Sequence, residues 1–155
     1  MNLRIPGPIP VPEDILDEMA QPMINHRGPE FKDLLYKTTD RLKQVFETQG
    51  DVWILTASGT GAMEATIVNV LSPGDKVINA TIGVFGNRFG EIAEAYGAEV
   101  VTLAAKFGRA LDLDELRETL KQNPDAKAVL VTHNETSTGV ANDLQAIAGV
   151  VKGEF

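Results

Sequence analysis

The hydrophobic period of this chain changes about a third of the way along it. Before residue 50 the apolar positions either scatter among prolines or recur every three to four residues. Phe31, Leu34, Leu35, Leu42, Val45 and Phe46 fall on one helical face and predict an amphipathic helix from about Glu30 to Thr48, with Gly50 just beyond its end. A shorter helix is expected from Pro12 to about Ala20, with proline in its first turn, Glu13 and Asp14 favourable to the dipole, and Pro22 as its stop. Pro6, Gly7, Pro8, Pro10 and Pro12 make residues 1–12 an extended arm, because proline fixes φ and donates no hydrogen bond. Asn25-His26-Arg27-Gly28-Pro29 reads as a polar loop.

From residue 51 short apolar runs alternate with helical stretches. Strands are expected near 52–56, 77–81, 99–103 and 126–132, the last apolar throughout, as a strand covered on both faces should be. Between them lie a helix over Gly61–Leu71, a turn at Ser72-Pro73-Gly74-Asp75, and a helix over Val84–Tyr96 closed by Gly97. A further helix over Asp112–Gln122 has Asp112 as cap with Glu115 three residues on, and a last one starts near Asp143 after the loop His133–Asn142. Four strands joined by helical crossovers predict an α/β fold with a mostly parallel, doubly wound sheet and helices on both faces.

Composition narrows the chemistry. The 155 residues carry 14 basic and 22 acidic side chains, a net charge of −8, which argues against nucleic acid or an anionic membrane as the main partner. No cysteine is present, so disulfides, thiolate catalysis and thiolate metal sites are excluded within these residues, and no metal site is expected. Neither a signal-peptide core nor a run of membrane-spanning length occurs, and a soluble, cytoplasmic protein is expected.

An open parallel sheet binds its ligand beyond the carboxyl ends of its strands. Three of those ends are rich in glycine and hydroxyls: Ser58-Gly59-Thr60-Gly61, Thr81-Ile82-Gly83-Val84-Phe85-Gly86-Asn87-Arg88, and Thr132-His133-Asn134-Glu135-Thr136-Ser137-Thr138-Gly139-Val140. The first sits where a strand hands over to a helix, where free N–H groups and the positive end of the dipole favour an anion; the plain alternative is a turn with a Ser cap. A nicotinamide dinucleotide fits poorly, because position 64 is Glu where G-x-G-x-x-G needs glycine and the second strand ends in Asn79-Ala80 without an acid for the ribose. No G-x-x-x-x-G-K-[ST] occurs. A smaller phosphorylated ligand with a flat ring remains.

These stretches resemble the class V aminotransferases, most closely the alanine–glyoxylate and serine–pyruvate branch. The likeness rests on 58–65, 83–88 and 132–140, together with the Pro6-Gly7-Pro8 arm and the Asn25–Phe31 loop, and covers essentially the whole chain. It implies a fold-type-I enzyme that binds pyridoxal 5′-phosphate, transfers amino groups between small amino and keto acids, and works as a homodimer with sites at the subunit interface. By that likeness Ser58, Gly59 and Thr60 form the phosphate turn, Phe85 stacks on the pyridine ring, and Thr136 bonds near the phenolic oxygen. Gly7 lines the substrate pocket, and Asn25, with His26 and Arg27, approaches from the dimer interface. Residues 1–50 then form an arm and interface helices, and 51–155 part of the cofactor-binding α/β domain. The plainer readings are a core position for Phe85, loop-shaping roles for His133 and Glu135, and solvated side chains for His26 and Arg27.

The family's Schiff-base lysine, its Asp for the pyridine nitrogen and its Arg for the substrate carboxylate lie beyond the point that matches residue 155. No lysine of this chain follows the family's Schiff-base motif, so no catalytic residue is expected here. The chain is expected to be the N-terminal portion of such an enzyme, either a fragment or one polypeptide of a split enzyme whose partner supplies the C-terminal portion. The alternatives are a catalytically inactive binding domain and a Rossmann-like binder of another phosphorylated ligand.

Overall fold

The computed structural model describes residues 3–154, which divide after Thr56 into two compact units. In the first, α1 (Glu13–Met19) starts at Pro12, whose carbonyl accepts from the amides of Ile15 and Leu16 at 3.1 Å. Helix α2 (Pro29–Val45) has Pro29 at its first position, Glu30 at the positive end of its dipole and Lys43 at the negative end. It stops three residues short of the expected Thr48. Glu47 adopts a φ of 50°, and the Thr48 amide turns back to the Lys43 carbonyl at 3.0 Å, so the break precedes Gly50. Neither helix buries a residue.

The strand expected at 52–56 does not form. The run has strand-forming composition but no ladder partner among the described residues, and a strand exists only through its partner. Residues 51–54 instead line a groove with Leu35, Tyr36 and Thr39 of α2.

The second unit is built on three parallel strands in the order β2-β1-β3: β1 (Lys76–Thr81), β2 (Glu99–Ala104) and β3 (Ala128–Val131). The sheet therefore has three parallel strands where the pattern suggested four. Central β1 is buried from Val77 to Thr81, and its alternation separates two cores. Ile78 and Ala80 point to one face, where they meet Leu116 and Leu120 of α5 (Leu113–Gln122) and Ile147 and Val150 of α6 (Leu144–Glu154). Val77 points to the other face and packs with Leu130, Ile67 of α3 (Gly59–Val70) and Ala93 of α4 (Val84–Ala95). The sheet has helices on both faces, as expected. Beyond β3 an apolar groove lined by Ile67, Val70, Leu71 and Phe89 runs along that strand, which is paired on one side only among the described residues.

Two local features place the site. Helix α4 lies directly on β1, because Gly86 and Gly90, one turn apart, present no side chain to Thr81 and Asn79 beneath them. The loop after β3 contains a hairpin absent from the sequence pattern, β4 (Asn134–Glu135) against β5 (Val140–Ala141), closed through Gly139 at φ 68°. Buried Asn142 ties it down: its Oδ1 accepts from the Leu111 amide at 3.0 Å and its Nδ2 donates to the Thr132 carbonyl at 2.9 Å. Among the described residues no helix is long and apolar enough to cross a membrane.

Candidate functional site

Two helices begin at the end of the second unit where β1 terminates, and their starts differ. At α4 every early amide has an acceptor. The Val84 amide donates to Ser137 Oγ at 3.0 Å, and those of Phe85 and Gly86 donate to Glu135 Oε2 at 3.0 and 3.1 Å. At α3, Ser58 caps the helix by accepting from the Gly61 amide at 3.3 Å, while the amides of Gly59 and Thr60 make no hydrogen bond among the described residues. Space beside Gly59 is open, with no atom within 4 Å of where a Cβ would stand. Of the two positive helix ends, α4 already holds a carboxylate and α3 has donors to spare.

Arg88 joins the two helices. Its Nη1 donates to Thr60 Oγ1 at 3.4 Å, and its guanidinium lies 5.3 Å from the centroid of the Phe85 ring. A cation is thereby set between the α3 start and the aromatic face, where it complements an anion. Phe85 is 36% exposed, so it is not a core side chain. Thr136 is exposed in the hairpin turn, between Glu135 and Ser137, the two residues that dock the hairpin on α4.

Ser58, Gly59, Thr60, Phe85 and Thr136 thus come to one end of the second unit. Gly7 and Asn25 belong to the first: Gly7 lies in the open arm, and Asn25 Oδ1 accepts from the Arg27 amide at 3.0 Å. Sequence reasoning passed over Arg88 as a site residue. The signal was there, one helical turn after Phe85 and therefore on the same side of the helix. No group of three or more metal-ligating side chains is found among the described residues.

Free helix amides, an arginine and a half-open aromatic at one end of a parallel α/β sheet suit a flat ring carrying a phosphate. The fold is that of the fold-type-I pyridoxal-phosphate enzymes. The chain belongs to the class-V aminotransferase family, which matches over residues 13–154. It is 48% identical over 153 residues to the "soluble hydrogenase, small subunit" of Synechococcus sp. (strain PCC 6716), covering 97% of this chain and 40% of that protein. It is 36% identical over 146 residues to the L-aspartate–glyoxylate aminotransferase of Paracoccus denitrificans, covering 92% of this chain and 37% of the relative. The crystal structure of an alanine–glyoxylate aminotransferase from Nostoc sp. superposes with a TM-score of 0.87 at 35% identity, covering 97% of this chain and 40% of that one. The chain thus spans about two-fifths of the length of these relatives. The cofactor of the family is pyridoxal 5′-phosphate.

Proposed function

We propose that this chain forms the part of a class-V aminotransferase that grips pyridoxal 5′-phosphate by its phosphate and its ring. The reaction proposed for the whole enzyme is transamination between a small amino acid of alanine or serine type and a 2-oxo acid of glyoxylate or pyruvate type. The carrying observation is the start of α3, where the amides of Gly59 and Thr60 stand free beside a guanidinium that also covers Phe85. In this reading those amides and the hydroxyls of Ser58 and Thr60 bind the phosphate. Arg88 balances its charge, Phe85 holds one face of the ring, and Thr136 donates toward the phenolic oxygen. Gly7 and Asn25 border the substrate. The cofactor, when bound, supplies the electron sink that loosens the substrate's α-proton.

The residues that bond the cofactor covalently, hold its pyridine nitrogen and bind the substrate carboxylate are proposed to lie outside these 155 positions. The unit is proposed to act as a cytoplasmic homodimer, and the isolated chain to show no turnover.

Thr60→Val tests the phosphate assignment. Loss of one hydrogen bond to a charged group should weaken cofactor binding by about 1–2 kcal/mol, a five- to thirty-fold rise in Kd by fluorescence titration. Unchanged affinity would remove Thr60 from the site. Borohydride reduction and peptide mapping of the whole enzyme should place the modified lysine outside residues 1–155; a label on any lysine of this chain overturns the division of labour.

A further inference from the structure

We propose that Glu135 is a positioning residue whose buried side chain locks the β4–β5 turn to the start of α4, so that Phe85 and Thr136 are held as one rigid unit. The inference rests on the reading that these two residues face the cofactor.

Glu135 is 1% exposed and sits in no ion pair among the described residues. Both of its oxygens are committed. Oε2 accepts from the amides of Phe85 and Gly86, while Oε1 accepts from the amide of Ser137 at 3.1 Å and its hydroxyl at 2.7 Å. Ser137 Oγ in turn accepts from the Val84 amide. The Gly83 amide donates to Thr81 Oγ1 at 3.3 Å, and the Asn87 amide begins the helix ladder at the Gly83 carbonyl at 2.9 Å. The α4 start is thus fully satisfied, three of its donors by the hairpin.

A helix is ordinarily capped by a short polar residue at its own start. Here that position is Gly83, which has no side chain, and the acceptor comes from some fifty residues away. Only glycine permits it: a Cβ on residue 83 would stand 2.6 Å from Glu135 Cγ and 2.8 Å from Cδ. Glu135 and Ser137 flank Thr136, and the amides they hold belong to Val84, Phe85 and Gly86. The carboxylate therefore spaces the ring-facing and the oxygen-facing residues relative to each other. Burial works to raise its pKa, but the donors of Ser137, Gly86 and Phe85 outweigh burial and hold it below the usual glutamate value, so it is charged at neutral pH.

Glu135→Gln keeps the shape but turns an NH2 toward one of the two donor pairs whichever way the amide is flipped. In the whole enzyme we expect the Kd for pyridoxal phosphate to rise at least tenfold. In a Phe85→Ala background the same change should cost several-fold less, because only the part of its effect that runs through Thr136 remains. Amide exchange at Phe85 and Gly86 should accelerate while Ile78 in β1 keeps its protection, a reading that needs no cofactor. If Glu135→Gln does not fold, Ser137→Ala, which removes only the Val84 acceptor and one donor to Oε1, should raise Kd about threefold with the same dependence on Phe85. Wild-type affinity in Glu135→Gln, or an equal loss with and without the Phe85 ring, would overturn the proposal. If the wild-type enzyme does not bind pyridoxal phosphate, the proposed function falls, and the exchange rates at Phe85 and Gly86 still decide whether the lock exists.

Discussion

Gly86 and Gly149 are both helical, yet substituting alanine at each should move stability in opposite directions. At Gly86 the new Cβ would stand 2.9 Å from Thr81 Cβ and 3.0 Å from its Cα, against an ordinary carbon–carbon separation of about 3.5–4.0 Å. Helix α4 would have to lift off β1 by about half an ångström or more, an overpacking cost of about 1–3 kcal/mol. The lift also disturbs Thr81 Oγ1, which donates within the turn to the Gly83 carbonyl (3.0 Å) and lies 2.8 Å from Asn87 Oδ1. Weakening that network adds about 1 kcal/mol. Replacing helical glycine returns about 1 kcal/mol, so the net loss is about 2 kcal/mol. For a chain of this size each kcal/mol moves Tm by about 2–4 °C, so Gly86→Ala should melt about 4–8 °C lower. Gly149, inside α6, has nothing within 4 Å of its Cβ position, and there alanine should add about 0.5–1 kcal/mol and raise Tm by about 2 °C. Thermal and urea unfolding followed by circular dichroism read both. A Gly86→Ala protein as stable as wild type would show that α4 does not rest on β1 at the distance described.

Other changes carry their own expected outcomes. Asp112 Oδ1 accepts from the amides of Asp114 and Glu115 at 2.9 and 3.1 Å, and Asp112→Ala should cost about 1 kcal/mol in urea unfolding; no loss would remove the cap from the stability of α5. Because the pKa of folded Glu135 is lowered from 4.5, its contribution is complete above that value and is lost as pH falls through the lower folded value. Stability measured from pH 6 downward should therefore fall more steeply below about 4.5 in the wild type than in Glu135→Gln, and parallel curves would refute the assignment.

Residues that act on their sequence neighbours were legible before the structure. Pro12 and Asp112 mark helix starts, Gly97 closes α4 at φ 85°, and Ser72–Asp75 forms the expected turn, with the Asp75 amide donating to the Ser72 carbonyl at 3.0 Å. The strand cores of β1, β2 and β3 followed from apolar runs. What failed depends on distant partners. Val52–Thr56 has the composition of a strand, but composition names a backbone preference and not the chain that must lie beside it. The β4–β5 hairpin has two residues per strand, too few to show any period. The sequence suggests a loop-shaping role for Glu135, but the amides it holds lie about fifty positions earlier, a distance no local pattern spans.

The open side of β3 bears on how these 155 residues behave at high concentration. A strand of Ala-Val-Leu-Val whose outer edge has no ladder partner among the described residues, beside an apolar groove, is a template for pairing with a second copy. Opposing that is the net charge of −8, which keeps copies apart through mutual repulsion. The balance is colloidal and is set apart from the unfolding free energy. Salt screens the repulsion, and acid removes it as the carboxylates protonate, while neither changes the edge. Turbidity should therefore appear on acidification or on raising ionic strength while the fold is still intact, and a single lysine placed on β3 should delay it more than any mutation that raises Tm.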